Sequence, residues 1–203
     1  DSMLYLENIS LNGPVKIDSV KLGEDGAFDF QENAMDSITP DFYRLRIANQ
    51  TINLSIDSTE TVTVKAAYPQ MSYKYEVEGS ENCNTIKELS LKQMLLQSNI
   101  NGIIKNPNIG VDSVDVIVTR MLNEYKQDIK TNYIFKAPMQ ASSYYALFQT
   151  IQLGNTNSLI FNPRNNKEDV KVFAAVATSW DTYYPGAERG KNLHNIAIEG
   201  MKD

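Results

Sequence analysis

Apolar and polar residues alternate with a period of two through most of residues 1–79, and from residue 80 onward the spacing becomes that of helices. The change is completed inside SYKYEVEGSENCNTIKELSLKQMLLQSNI, residues 72–100. Tyr73, Tyr75 and Val77 alternate with Lys74, Glu76 and Glu78, which predicts a half-buried strand. Gly79 frees the backbone, and Ser80 is the expected N-cap of the helix that follows. At about 100° per residue, Ile86, Leu89, Leu96 and Ile100 share one stripe of that helix. Leu91, Met94 and Leu95 fall on its other side, so the helix is expected to be covered on two faces.

Before this hinge the chain reads as a meander of short strands. Val15 and Ile17 have one parity and Val20 and Leu22 the other, so a bulge is expected near Asp18 and Ser19. Glu24-Asp25-Gly26 predicts a turn, with Ala27, Phe28 and Phe30 opening a return strand and residues 32–41 a polar loop. Tyr43, Leu45 and Ile47 are expected to pair with Ile52, Leu54 and Ile56 across an Asn49-Gln50 turn. Asp57-Ser58-Thr59-Glu60 turns the chain again into Val62, Val64 and Ala66. Six or seven strands at this spacing imply an antiparallel sandwich or open barrel.

After the hinge, four or five helices are expected. Val114, Ile117, Val118, Met121, Leu122, Tyr125, Ile129 and Tyr133 give a clean 3,4 spacing over 113–133, with Asp112 as N-cap. Further helices are predicted over 139–151, 167–184 and 187–198, joined by Asn/Gly/Pro-rich connections at 101–110 and 152–166. The fold class is therefore α+β: an N-terminal antiparallel β-sandwich or open barrel over 1–79, followed by a helical array over 80–203.

Composition narrows the function classes. The apolar fraction of 42% and charged fraction of 22% are those of an ordinary globular chain, and no apolar run is long enough for a membrane span. The net charge of −6 is uneven: residues 1–79 hold 6 basic and 13 acidic residues, residues 80–203 hold 13 and 12. An acidic sheet half argues against nucleic acid as a partner. The chain starts at Asp1 rather than Met, which is compatible with removal of an upstream segment. Its single cysteine, Cys83, excludes an internal disulfide.

The order of elements resembles a known domain family. Asp18-Ser19-Val20, Asp25-Gly26-Ala27-Phe28 with Phe30, Phe42-Tyr43 with Leu45, and Tyr75-Val77-Glu78-Gly79-Ser80 carry the resemblance. Ser142-Ser143-Tyr144-Tyr145-Ala146-Leu147 and Tyr184-Pro185 extend it loosely into the helices. The family is an uncharacterised domain at the N-terminus of exported, often lipid-anchored, TlpA/ResA-like thiol–disulfide oxidoreductases of Gram-negative bacteria. The resemblance implies a cell-envelope or periplasmic setting. It also implies a C-terminal thioredoxin-like domain of the same chain as partner, with envelope proteins as substrates. That domain would begin where this chain stops, at Asp203, and residues 1–203 contain no C-x-x-C, so no catalytic residue is carried over. The implied role is a non-catalytic accessory one, positioning the redox domain or selecting its substrates, with no cofactor and no enzyme activity of its own.

Several residues are weighed for chemistry directly. Cys83 would lie in the first turn of its helix, where the dipole favours thiolate, but no partner thiol or histidine is near in sequence and a passive cysteine is the plainer reading. His194 is the only histidine and sits on a Lys/Asn-rich helix, which suits a solvated side chain better than a triad or metal site. Gly23-Glu24-Asp25-Gly26 lacks calcium-ligand spacing and reads as a turn. Glu76 and Glu78 share a strand face and are expected to point to solvent, so no carboxylate pair suited to acid–base work is visible. Tyr144, Tyr145, Trp180, Tyr183 and Tyr184 form an aromatic group that core packing would explain. If exposed along a groove, the same five would suit a free-standing envelope module binding a glycan or peptide. Asp18-Ser19-Val20, Asp36-Ser37-Ile38, Asp57-Ser58-Thr59 and Asp112-Ser113-Val114 resemble O-glycosylation acceptors of exported bacterial proteins, although Asp-Ser also suits turns and caps.

Overall fold

The computed structural model describes residues 3–28, 30 and 38–202, and the chain divides into two compact units, Asp1–Glu88 and Leu89–Asp203. The division falls inside a helix rather than at Gly79. The reason is local: the first turns of that helix, Cys83 among them, belong to the core of the sheet unit.

In the first unit, β1 (Met3–Ser10), β2 (Gly13–Lys21), β3 (Asp41–Ile47) and β4 (Gln50–Ile56) form an antiparallel sheet in the order β2-β1-β3-β4. β5 (Thr63–Ala66) and β6 (Tyr75–Glu78) form a separate two-stranded sheet. Leu4 and Leu6, Leu45 and Ile47, and Ile52 and Leu54 line one face of the larger sheet, and Met71, Tyr75, Val77 and Cys83 close over them in one core. At about 1.5–3 kcal/mol for each fully buried aliphatic side chain, this face supplies most of the unit's cohesion. The predicted sandwich takes this two-sheet form, and the α+β class holds.

The parity change in β2 has its bulge. Leu6 pairs with Asp18 and Glu7 with Lys16, so Ile17 is the extra residue, one position before the expected site. Val15 and Ile17 are consequently exposed, while Val20 and Leu22 pack against the core. Two expectations are corrected. Ala27, Phe28 and Phe30 form no strand; the rings of Phe28 and Phe30 instead meet at 5.9 Å, tilted by 49°, and lean on the core. The β3–β4 turn is Ala48-Asn49 rather than Asn49-Gln50, because Ile47 pairs with Gln50, and Ala48 carries φ 53°. Of the predicted polar loop, residues 32–37 lie outside the described residues.

β6 begins at Tyr75, leaving Tyr73 exposed in the preceding turn. Gly79 has φ 96°, and a Cβ there would stand 1.8 Å from the carbonyl oxygen of Thr61, so close backbone approach requires glycine. Ser80 then caps α1 (Glu81–Ile104), its Oγ accepting from the Cys83 N–H at 3.1 Å. Ile86, Leu89, Leu96 and Ile100 are buried as predicted. Leu91, Met94 and Leu95 are exposed, which corrects the expectation of cover on a second face.

The second unit comprises the rest of α1, α2 (Val111–Ile129) with a π-helical continuation over Lys130–Ile134, α3 (Ala141–Leu147), α4 (Lys167–Tyr183) and α5 (Glu188–Met201). The N-cap of α2 is Gly110, not Asp112, which instead lies in the first turn, where a negative charge suits the helix dipole. The predicted helix over 139–151 stops at Leu147. The chain then forms a hairpin of β7 (Thr150–Leu153) and β8 (Thr156–Leu159), in a stretch expected to be mostly connection. Gly154, at φ 60°, makes that turn with Asn155, and two α1 glutamines hold β7: Gln93 Nε2 donates to Thr150 O, while Gln97 exchanges two 2.8 Å bonds with the Gln152 backbone.

Candidate functional site

α3, α4 and α5 decide the fate of the aromatic group. The apolar spacing of α4 turns Val170, Phe173, Ala177 and Trp180 inward, and Trp180 is 0% exposed. Its ring lies 5.0 Å from Tyr144 and 4.9 Å from Tyr184; Tyr144 in turn meets Phe148 at 4.9 Å, and Phe148 meets Phe173 at 5.7 Å. Burial pushes the Tyr144 hydroxyl's pKa up against the opposing pull of Arg189 and Asn192, which hydrogen-bond it. The Arg189 guanidinium stands 5.5 Å from the Tyr144 ring centre. Tyr145 is directed to α1, where its hydroxyl meets Ser90 Oγ at 2.8 Å. Tyr183 is exposed.

The five residues therefore line no common groove. Tyr144 and Trp180 are core, Tyr184 packs on Trp180, Tyr145 joins α3 to α1, and Tyr183 stands in solvent. The rings of Tyr144, Trp180 and Tyr184 are engaged with one another, while Tyr183 is exposed.

Cys83 is fully buried in the first unit. Its Sγ donates to Ser55 O at 3.1 Å and accepts from Ser55 N at 3.4 Å. Burial pushes the thiol's pKa up and outweighs the bonds from Ser80 and Ser55 that pull it down; Glu60 adds to the rise. The shift is therefore opposite in direction to the lowering a helix N-terminus would give, with desolvation its largest cause.

The remaining candidates fall into place singly. His194 Nε2 meets Asp181 Oδ2 at 2.5 Å across α5 and α4, with both side chains exposed. Glu76 and Glu78 are exposed. Gly23–Gly26 is a turn closed by Gly26 N donating to Gly23 O at 3.0 Å. Among the described residues no group of three acidic, His or Cys side chains has metal-holding geometry. Of the Asp-Ser pairs, Asp36-Ser37 lies outside the described residues. Asp18 receives the Ser19 N–H at 2.8 Å, Asp57 receives both the N–H and hydroxyl of Thr59, and Ser58 and Ser113 are exposed.

One buried network was not read from the sequence. Lys126 Nζ of α2 lies 2.7 Å from Asp169 Oδ2 of α4, and that same oxygen accepts from Asn162 N at 2.8 Å. Asp169 is 1% exposed, and among the described residues its Oδ1 has no hydrogen-bond partner. In a second buried chain of bonds the Tyr125 hydroxyl donates to Gln149 Oε1 at 2.6 Å, Gln149 Nε2 donates to Leu89 O at 3.0 Å, and burial drives the Tyr125 pKa upward. Asn166 accepts from Glu168 N as the α4 cap, so Asp169 occupies the third helical position, where a capping acid belongs. That Asn-x-x-Asp spacing was the available signal. The pair ties two helices together.

Comparisons of the chain with protein-family models, with curated proteins and with solved structures return no match.

Proposed function

We propose that this chain is a non-catalytic accessory region of a cell-envelope thiol–disulfide oxidoreductase, positioning a thioredoxin-like domain of the same polypeptide or selecting that domain's protein substrates. The supporting observation is the state of Cys83. Thiol–disulfide exchange requires an accessible thiolate. The one thiol here is buried, bonded to Ser55, and kept protonated by desolvation. Any electron transfer would fall to a C-x-x-C pair outside residues 1–203. The motif resemblance through the sheet supports the envelope setting.

Two measurements test the proposal. The reading frame beyond the Asp203 codon should encode a C-x-x-C within a βαβ pattern. The purified chain should leave insulin-disulfide reduction by dithiothreitol at its background rate. A frame lacking the motif, or unaided turnover that disappears in Cys83→Ser, would overturn it.

A further inference from the structure

The two faces of the four-stranded sheet differ in chemistry. Opposite the aliphatic face, strand register places Tyr5 and Glu7 of β1, Lys16 and Lys21 of β2, and Arg44 and Arg46 of β3. Four of the six basic residues in 1–79 therefore stand on one surface of an acidic unit. Glu7 is the one carboxylate of these strands with that parity, since Asp18 and Asp41 pair with Leu6 and Ile56 on the other.

Glu7 organises the cations. Its Oε1 accepts from Arg44 Nε at 2.8 Å and from Arg46 Nε at 3.4 Å. The Arg46 guanidinium also lies 4.7 Å from the Tyr5 ring centre, and Lys16 Nζ lies 5.3 Å from it. Both arginines are thus held in place while still partly exposed, and both lysines are exposed. One carboxylate against four cations leaves a preorganised positive surface. From Lys16 to Lys21 it runs about 16 Å along the strands, and from β2 to β3 about 10 Å across them.

We propose that this face docks a short acidic segment of a protein partner, in extended form. Charge complementarity selects an anionic partner, which the two lysine ammoniums and the guanidinium N–H groups not already donated to Glu7 and Ala48 can meet. Alternate side chains of an extended peptide recur every 6–7 Å or so, and about five residues cover the patch. A longer polyanion, whether nucleic acid or polyuronate, would extend beyond the patch, on a unit whose residues 1–79 hold 13 acidic against 6 basic residues. This inference stands independently of the redox reading.

The test is fluorescence anisotropy of the chain with a labelled hexapeptide of alternating Glu and Ser, beside a Gln-for-Glu peptide, an oligogalacturonate and a single-stranded oligonucleotide. The acidic peptide should bind at about 50 mM salt and weaken at about 500 mM. The double variant Lys16→Glu, Lys21→Glu, both exposed and outside the core, should weaken it roughly tenfold or more. The double variant Lys65→Glu, Lys74→Glu, which alters the same net charge away from this face, should change it by no more than about twofold. No binding, equal loss in both variants, or tighter binding of the polyuronate or oligonucleotide would overturn the proposal.

Discussion

Cys83 takes the place of a neighbouring strand for Ser55: its sulfur accepts the Ser55 N–H and its thiol proton goes to the Ser55 carbonyl. Ser55 lies in β4, which among the described residues has no strand on its other side, so without Cys83 these backbone groups would be buried at a sheet edge. The cysteine is thus structural, and its reactivity is suppressed by the same burial.

Cys83→Ala should accordingly cost about 2–3 kcal/mol, combining lost packing with two orphaned backbone groups. Cys83→Ser keeps a donor and an acceptor and should cost about 1 kcal/mol. Urea melts give both numbers. A thiol reagent should label the native chain only as fast as it unfolds, and rapid labelling of folded protein would contradict this account.

Gly79→Ala should be among the most damaging single changes in the first unit. It puts a side chain at φ 96° and against the Thr61 carbonyl oxygen, neither of which can be relieved without moving β6 or the cap of α1. A loss of about 3 kcal/mol or more is expected in thermal or urea unfolding. A variant within 1 kcal/mol or so of the parent would show that the two backbones do not approach as described.

Glu7 should make stability depend on pH in the acidic range. Its burial alone would raise the carboxyl pKa, but Arg44 and Arg46 together outweigh that and hold it below the ordinary 4.5. A depressed folded-state pKa stabilises fully above the unfolded value and loses that stabilisation as pH falls through the folded one. Glu7→Gln should therefore cost about 2–4 kcal/mol near pH 7, with the gap from the parent narrowing as pH falls below the ordinary carboxyl range. A gap independent of pH would rule out the ion pairs as its source.

The Lys126–Asp169 pair should show the asymmetry of buried charges. Lys126→Met alone strands a carboxylate that is 1% exposed, at about 3–5 kcal/mol. Adding Asp169→Leu removes the stranded charge, so the double variant should be more stable than Lys126→Met by itself. Simple additivity of the two changes in urea melts would indicate that the residues are not coupled.

How legible each element was depended on how far its cause lay along the chain. The stripe of Ile86, Leu89, Leu96 and Ile100, the Ser80 cap and the parity change in β2 depend on neighbours a few residues away, and all three are present. The β7–β8 hairpin carried its own signal, Gly154-Asn155 between Ile151 and Leu159, but lay in a stretch read as connection. Phe28 and Phe30 kept their apolar role without a strand: both pack on the core, and burial of a side chain does not require a ladder for its backbone.

By itself the amino-acid order determined the α+β class, the strand-to-helix hinge and which faces are apolar, since periodicity and capping are local properties. Tertiary structure alone decided that Trp180 and Tyr144 are enclosed, that Cys83 bonds Ser55, and that Lys126 meets Asp169. It also gathered Lys16, Lys21, Arg44 and Arg46 on one sheet face. Each of these depends on residues far apart in the chain, and strand register and helix packing, not spacing along the sequence, set which of them meet.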